Sequence, residues 1–418
     1  MSFPIVRLFF CCVLLMAIHG CTKKNQDPGN TVVVPDNPNG VLYVEIPLHF
    51  VKLDVSTDSV YWTSQVINAF GSAGNPIRFD SNYFYHGNNS GITCYSSSTG
   101  QFVWMTNWLA FNDAINYREP AFNDSLIFFT SPTSEWDHGY LYCKNKRTGA
   151  SVWEKQYDFG YVDTSVNGIP VLAGNSVIIK TRDQNNQRHL TAYAVQSGNQ
   201  QWSVPVSISL SDKMWAINGR IYAAYGPQAV CFDALSGQQL WSTDMNIPKA
   251  YLTYNFIDGN KLIVVKVLDN TSYKVLQIQL SDGTIVKSSD LTIPTTYALD
   301  PGFIGPMSCS YKNSRLFFAS FYASDSLDIL AYDITNMAQL WRSRFTNSVF
   351  SGVALVTTDK YLIFPINEQY DNPNNSQSSF IFLDYSGKLV KKLPYNSIYI
   401  DDFVYKENGV VYQQPSSF

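Results

Sequence analysis

Long apolar runs, dense charge, paired histidines and usable cysteine pairs are all scarce in this sequence, and each scarcity excludes something. The longest apolar stretch, residues 8–18, spans about eleven residues, where a membrane-spanning helix needs about twenty. Only 15% of the chain is charged, with 29 basic against 33 acidic residues and a net charge of −4. The basic residues are scattered, with no more than short clusters such as Lys23-Lys24 and Lys391-Lys392, so the electrostatic footprint of a nucleic-acid binder is missing. All five histidines (19, 49, 86, 138 and 189) stand alone. That leaves no zinc-ligand spacing, and no Cys-x-x-Cys-His haem attachment occurs. The one adjacent cysteine pair, Cys11-Cys12, falls inside the N-terminal apolar run.

Aromatic and β-branched residues are plentiful instead: 27 Tyr, 26 Phe and 9 Trp in 418 residues, enough for a large core. The N-terminus reads as a targeting segment, with Arg7 ahead of the apolar run and Gly20-Cys21 after it. A cysteine directly after a small residue resembles the lipobox of bacterial lipoproteins, although His19 departs from the small or apolar residue usual there. The expectation is a signal peptide over residues 1–20, with Cys21 lipidated as the first mature residue. Residues 22–40, rich in Pro, Gly, Asn and Asp, are expected to form an extended tether. At about 3.3 Å per residue it reaches roughly 60 Å. The globular body is then residues 41–418.

That body repeats itself. Thr191 to Trp202 runs as an alternating strand, a turn ending on Gly198, a second strand and a Trp four residues past the glycine. Aligned on the turn, eight copies fall at Asp58, Gly100, Gly149, Gly198, Gly237, Gly283, Met337 and Gly387, at spacings of 42, 49, 49, 39, 46, 54 and 50. Six carry Trp four residues on (Trp62, Trp104, Trp153, Trp202, Trp241 and Trp341), and two carry Lys287 and Lys391. The glycine supplies the left-handed backbone that closes a short hairpin. Asp54, Asp233 and Asp333 are placed to accept hydrogen bonds from free turn amides. The Trp offers a flat area with one N–H for packing between neighbours. Further β-rich runs at 126–130, 177–181, 220–224, 261–267, 316–321 and 360–364 complete a four-stranded unit per repeat, the period of a propeller blade.

The chain ends settle the count. The first copy starts near Leu42 with no A and B strands ahead of it, and residues 402–405 and 409–413 form a terminal hairpin with no C and D strands behind it. An eight-bladed, all-β ring of four-stranded antiparallel blades, closed by pairing the N- and C-terminal hairpins, consumes both halves and leaves no open edge.

The Ala-x-Asp-x-x-Thr-Gly-x-x-x-Trp pattern, matched best at 193–202, 232–241 and 332–341, resembles the tryptophan-docking repeat of the quinoprotein alcohol dehydrogenase-like propellers. That family includes PQQ-dependent dehydrogenases and BamB-type lipoproteins of outer-membrane protein assembly. In the dehydrogenases the quinone lies on the ring axis between a Trp and a disulfide of adjacent cysteines, with a calcium ion and an aspartate base. The body of this chain holds Cys94, Cys143, Cys231 and Cys309. An even count in an exported protein permits two disulfides. Yet Cys94, Cys143 and Cys231 each sit six residues before a turn glycine, where Ala192 and Ala331 sit in other copies. They read as small buried residues in different blades, too far apart to bridge. The acidic pair Asp401-Asp402 reads as a solvated turn. The resemblance therefore implies the ring without the dehydrogenase site: no cofactor, no metal, no catalytic residue.

Topology puts the B–C loops and D–A connections on the face opposite the glycine turns. There the sequence is long, polar and aromatic: 107–119 with Trp108 and Tyr117, 131–139 with Trp136 and His138, 182–188, 297–303 with Tyr297, and 368–379 with Tyr370. Loops on a rigid scaffold carry function, and exposed Trp and Tyr are common interface anchors. The expectation is a monomeric, lipid-anchored outer-membrane scaffold for envelope protein partners, with BamB-like assembly as its setting. A surface ligand- or glycan-binding lipoprotein is the alternative, and a PQQ-dependent dehydrogenase the third reading.

Overall fold

The computed structural model describes residues 38–46, 49–66, 77–80, 82–88, 91–106, 120–132, 138–158, 169–183, 185, 187–206, 213–247, 252–269, 271–293, 308–323, 326–346, 348–350, 355–368, 377–395, 400 and 402–413. Among them every regular element is a strand, arranged in eight antiparallel sheets. The protein is an eight-bladed β-propeller.

Blade 5 shows why these residues make a blade. Its strands Trp215–Ile217, Arg220–Tyr225, Gln228–Asp233 and Gln239–Asp244 pair in that order. Side chains alternate across a strand, so Ile221 and Ala223 pack toward blade 4 while Tyr222 and Ala224 pack toward blade 6. Both faces are buried, which is why the second and third strands of a blade read as nearly continuous apolar runs. Ser176–Arg182 in blade 4, for instance, is buried at every position. Among the described residues, eight hydrophobic clusters fill the eight joints between successive blades.

Blade 1 closes the ring. Its order runs Ser59–Gln65, His49–Asp54, Val41–Ile46, then Asp402–Glu407 and Val410–Tyr412 from the other end of the chain. The two terminal hairpins do pair, but the division differs from the sequence expectation. The N-terminal side supplies three strands, and the sheet has five rather than four. Asp402–Glu407 takes the place of strand A, and Val410–Tyr412 adds an innermost fifth strand. In blade 8 strand A is interrupted: Ser348–Phe350 and Val356–Thr357 both pair with Tyr361–Glu368.

Gly40 locates the entry of the chain. Its carbonyl accepts from Val55 N–H at 3.0 Å, as Gly219 does from Ala234 at 2.9 Å and Asn260 from Leu280 at 2.8 Å. Gly219 and Asn260 lie in A–B turns, so the chain enters the ring on the face that carries the turns.

Candidate functional site

The repeat motif builds a joint between blades. All eight turn residues have left-handed φ, from 56° at Met337 and 58° at Asp58 to 83° at Gly387. In six copies the turn amide donates to the carbonyl four residues back, for example Gly237 to Asp233 at 2.9 Å. Asp54, Asp233 and Asp333 accept from the intervening amides as expected, at 2.8, 2.8 and 2.5 Å. Asn145 and Asp384 do the same. Those bonds hold the Asp54, Asp233 and Asp333 carboxyls below the usual range, Asp54 chiefly through the Ser56 and Tyr61 hydroxyls and Asp233 chiefly through Ser236.

A β-bulge follows in every copy and sets the residue just before it opposite the Trp position: Cys94 faces Trp104, Cys143 faces Trp153, Ala192 faces Trp202, Cys231 faces Trp241 and Ala331 faces Trp341. A small residue is wanted there because the indole lies alongside it. Cys94, Cys143 and Cys231 are accordingly buried and free, as is Cys309, which faces Phe318 in the first strand of blade 7 instead. Burial pushes the Cys231 thiol up to about 11 and Cys143 to about 12.

Each indole then reaches into the next blade's turn. Trp104 Nε1 donates to Lys146 O at 3.0 Å, Trp153 to Val195 O at 2.9 Å, Trp202 to Ala234 O at 3.1 Å, Trp241 to Leu280 O at 3.2 Å and Trp341 to Tyr385 O at 2.9 Å. The indole lies flat on that turn's glycine. A Cβ on Gly100 would meet Trp62 at 2.5 Å, on Gly149 Trp104 at 2.7 Å, and on Gly198 Trp153 at 2.7 Å. On Gly237, Gly283 and Gly387 it would meet Trp202, Trp241 and Trp341, each at 2.6 Å at closest ring atom. Trp62 departs from the others: it faces Lys52 and not a small residue, its N–H has no partner, and it stacks on Phe84 at 6.0 Å and 8°.

The two irregularities of the repeat are coupled through this joint. Lys287 replaces Trp in blade 6, and the turn it reaches, in blade 7, has Met337 instead of Gly; its amine donates to Thr335 O. Lys391 replaces Trp in blade 8, and the turn it reaches, in blade 1, has Asp58, with Nζ 2.6 Å from Oδ1. Without an indole overhead, the turn needs no glycine. What looked in the sequence like four separate lapses is two rebuilt joints.

Sequence reasoning missed a buried polar group between blades 1 and 2. Glu45 and Asp402 sit side by side in the paired terminal strands. Ile77 N–H donates to Asp402 Oδ2 at 2.7 Å, and His86 Nε2 lies 2.7 Å from Glu45 Oε1. Arg78 completes the set, and its guanidinium also donates to Ile77 O at 3.0 Å. All four are buried. The solvated-turn reading of Asp401-Asp402 is corrected for Asp402, whose carboxyl burial pushes up to about 7 against the pull of Arg78; Asp401 lies outside the described residues. No sequence signal marked this set, because its members come from both ends of the chain. A second buried charge, Lys266, donates to Gly226 O at 2.7 Å and Thr253 Oγ1 at 2.8 Å, tying blade 6 to blade 5. Burial lowers its amine to about 8.

The expected binding-face residues are not tested by this geometry. Trp108, Tyr117, Trp136, Tyr297 and Tyr370 lie outside the described residues, and so does the side chain of His138. Several loops are shorter than the sequence reading set them, because strands Leu126–Pro132, His138–Asn145, Ser176–Arg182 and Gln377–Asp384 run into them. Among the described residues no three His, Cys, Asp or Glu side chains are grouped to hold a metal ion.

Fold and joints together define the class: a closed eight-bladed propeller with tryptophan-docked blades. The family sequence model described as "Outer membrane protein assembly factor BamB" matches residues 88–211 and 192–296, together half of the chain. The chain belongs to this PQQ-like β-propeller family. Among solved structures it is similar to dihydro-heme d1 dehydrogenase NirN (TM-score 0.56, 13% identity, 88% of this chain and 78% of that one). It is also similar to a eukaryotic initiation factor (TM-score 0.55, 11% identity, 88% of each chain). BamB from Moraxella catarrhalis aligns with a TM-score of 0.48 and 16% identity over 69% of this chain and 80% of that one. At such identities the first two likenesses speak for the fold alone. No protein of curated function matches the chain.

Proposed function

We propose that this chain is a non-catalytic, lipid-tethered scaffold of the bacterial envelope that binds protein partners during outer-membrane protein assembly. The observation that carries the reading is the family match over residues 88–296, to a family described by that assembly role. Chain geometry supports it. The six Trp–Gly pairs, the best-matching residues of the motif, are spent on holding blades together, which leaves the opposite face to carry recognition. The chain enters on the turn face at Gly40, and the opposite face, with Trp108, Tyr117, Trp136, His138, Tyr297 and Tyr370 in its sequence, is the one assigned to partners.

The test has two arms. Metabolic palmitate labelling should mark the wild-type chain and not Cys21→Ala. Deleting the gene should lower outer-membrane β-barrel protein levels, and Trp108→Ala/Trp136→Ala should reproduce the loss with an unchanged melting temperature. Equal labelling of both chains defeats the anchor, and unchanged barrel levels defeat the assembly role.

A further inference from the structure

The closing blade differs from the others in how its flanks are held. Toward blade 8 the Trp–Gly joint is replaced by Lys391 and Asp58, 2.6 Å apart. At the opposite edge of the same blade Tyr412 of the fifth strand donates to Asp359 of blade 8 at 2.8 Å, and Asp359 also holds Lys312 of blade 7 at 2.9 Å. Toward blade 2 lies the buried set of Glu45, Arg78, His86 and Asp402. Ionisable contacts thus sit on both sides of the one blade whose strands come from both ends of the chain.

We propose that this seam is a proton-sensitive clasp, in which the charge state of Asp402 sets how firmly the C-terminal strand Asp402–Glu407 stays paired to Val41–Ile46 and so how tightly the ring is closed. The groups that face Asp402 are Glu45 on the paired strand, Arg78 and the Ile77 amide on the first strand of blade 2, and His86 beyond Glu45 on the second. Two carboxylates, the Arg78 guanidinium and the His86 imidazole share one buried cluster. Protonating Asp402 removes a negative charge from beside Glu45. With Asp402 ionised, a second buried negative charge stands beside Glu45, and desolvation opposes it. The carboxyl rises from 3.8 to about 7 in the folded ring. A raised carboxyl binds its proton more tightly folded than unfolded. Its contribution is therefore complete below about pH 4 and is lost as pH climbs to about 7. The clasp is tighter in mild acid and looser at and above neutrality. Across that window the paired-to-open ratio of the seam changes by up to roughly a thousandfold.

Hydrogen exchange on the full-length protein at pH 5 and pH 8, corrected for intrinsic exchange rates, tests this. In the wild type, Val41–Ile46 and Asp402–Glu407 should lose protection at pH 8 by tenfold or more, while Ser176–Arg182 in blade 4 does not. Asp402→Asn, which still accepts from Ile77, should abolish that loss. Glu45→Gln, a second variant that removes the neighbouring charge, should shift the loss to lower pH. Protection that falls equally in blade 4, or a seam whose pH profile is the same in wild type and both variants, overturns the proposal. So does an Asp402→Asn seam weaker than wild type at pH 8, which would make the ionised carboxylate the holding form.

Discussion

Replacing Gly237 with Ala puts a methyl where Trp202 lies. The new Cβ would stand 2.6 Å from Cε3 of the ring, on a backbone with φ of +72°. The left-handed conformation costs an alanine about 1 kcal/mol. Displacing the indole adds about 1–3 kcal/mol of overpacking. Gly237→Ala should thus destabilise by about 2–4 kcal/mol. Trp202→Ala removes a half-buried indole and its bond to Ala234 O at 3.1 Å, for about 2–4 kcal/mol. In the double variant the methyl has nothing to strike, so the alanine costs only its backbone strain. The two losses should then fall short of their sum by about 1–3 kcal/mol. Urea melts of the four proteins, followed by tryptophan fluorescence and circular dichroism, complete the cycle. The Gly219→Ala variant gives the control: φ is +73° and nothing lies within 4 Å, so strain acts alone. Losses that add to within about 0.5 kcal/mol, the behaviour of independent sites, would refute the claim that glycine is there for the preceding blade's tryptophan.

Rebuilding the irregular joint between blades 6 and 7 follows the same logic: Lys287→Trp alone should not stabilise, whereas Lys287→Trp/Met337→Gly should raise the melting temperature above either single change. In the mature protein the four body cysteines should be silent to Ellman's reagent at pH 8 and all react in denaturant, since burial keeps their thiols protonated; any reaction in the native state would contradict that burial. Lys266, lowered to about 8 in the fold, contributes stability that is present above the unfolded lysine value and lost as pH falls through 8. Wild type should therefore gain stability between about pH 8 and 10 relative to Lys266→Met, and parallel pH profiles would count against the buried amine. Turn aspartates work in the opposite range: depressed Asp233 stabilises above the usual carboxylate range and loses that contribution in stronger acid, so Asp233→Ala should narrow its deficit to wild type as pH drops below about 4.

How far the sequence reveals this molecule depends on how far apart the partners of each contact lie along the chain. The turn is legible at once: Asp233, Gly237 and Trp241 fall within one hairpin, and each residue type answers a local need for a cap, a left-handed φ or a packing plate. The joint is only half legible, because Trp202 explains Gly237 of the next repeat and not its own Gly198. Compared within single repeats, Lys287 and Met337 look like unrelated decay; compared across the joint, the loss of one removes the need for the other. Asp402 is not legible at all. Its burial depends on pairing with Glu45 from the opposite end of the chain and on Arg78 arriving from blade 2, and no local pattern distinguishes it from a solvated acidic turn. The strand Val410–Tyr412 is legible as the second half of the terminal hairpin, but its place is not, since counting strands by hairpin cannot reveal that it adds a fifth strand to an already complete blade. The rule that follows also bears on function. Residues that repeat around the ring are those each blade needs to hold its neighbour, so their recurrence reports assembly of the propeller. The recognition proposed above is therefore assigned to positions that do not recur, the connections opposite the turns.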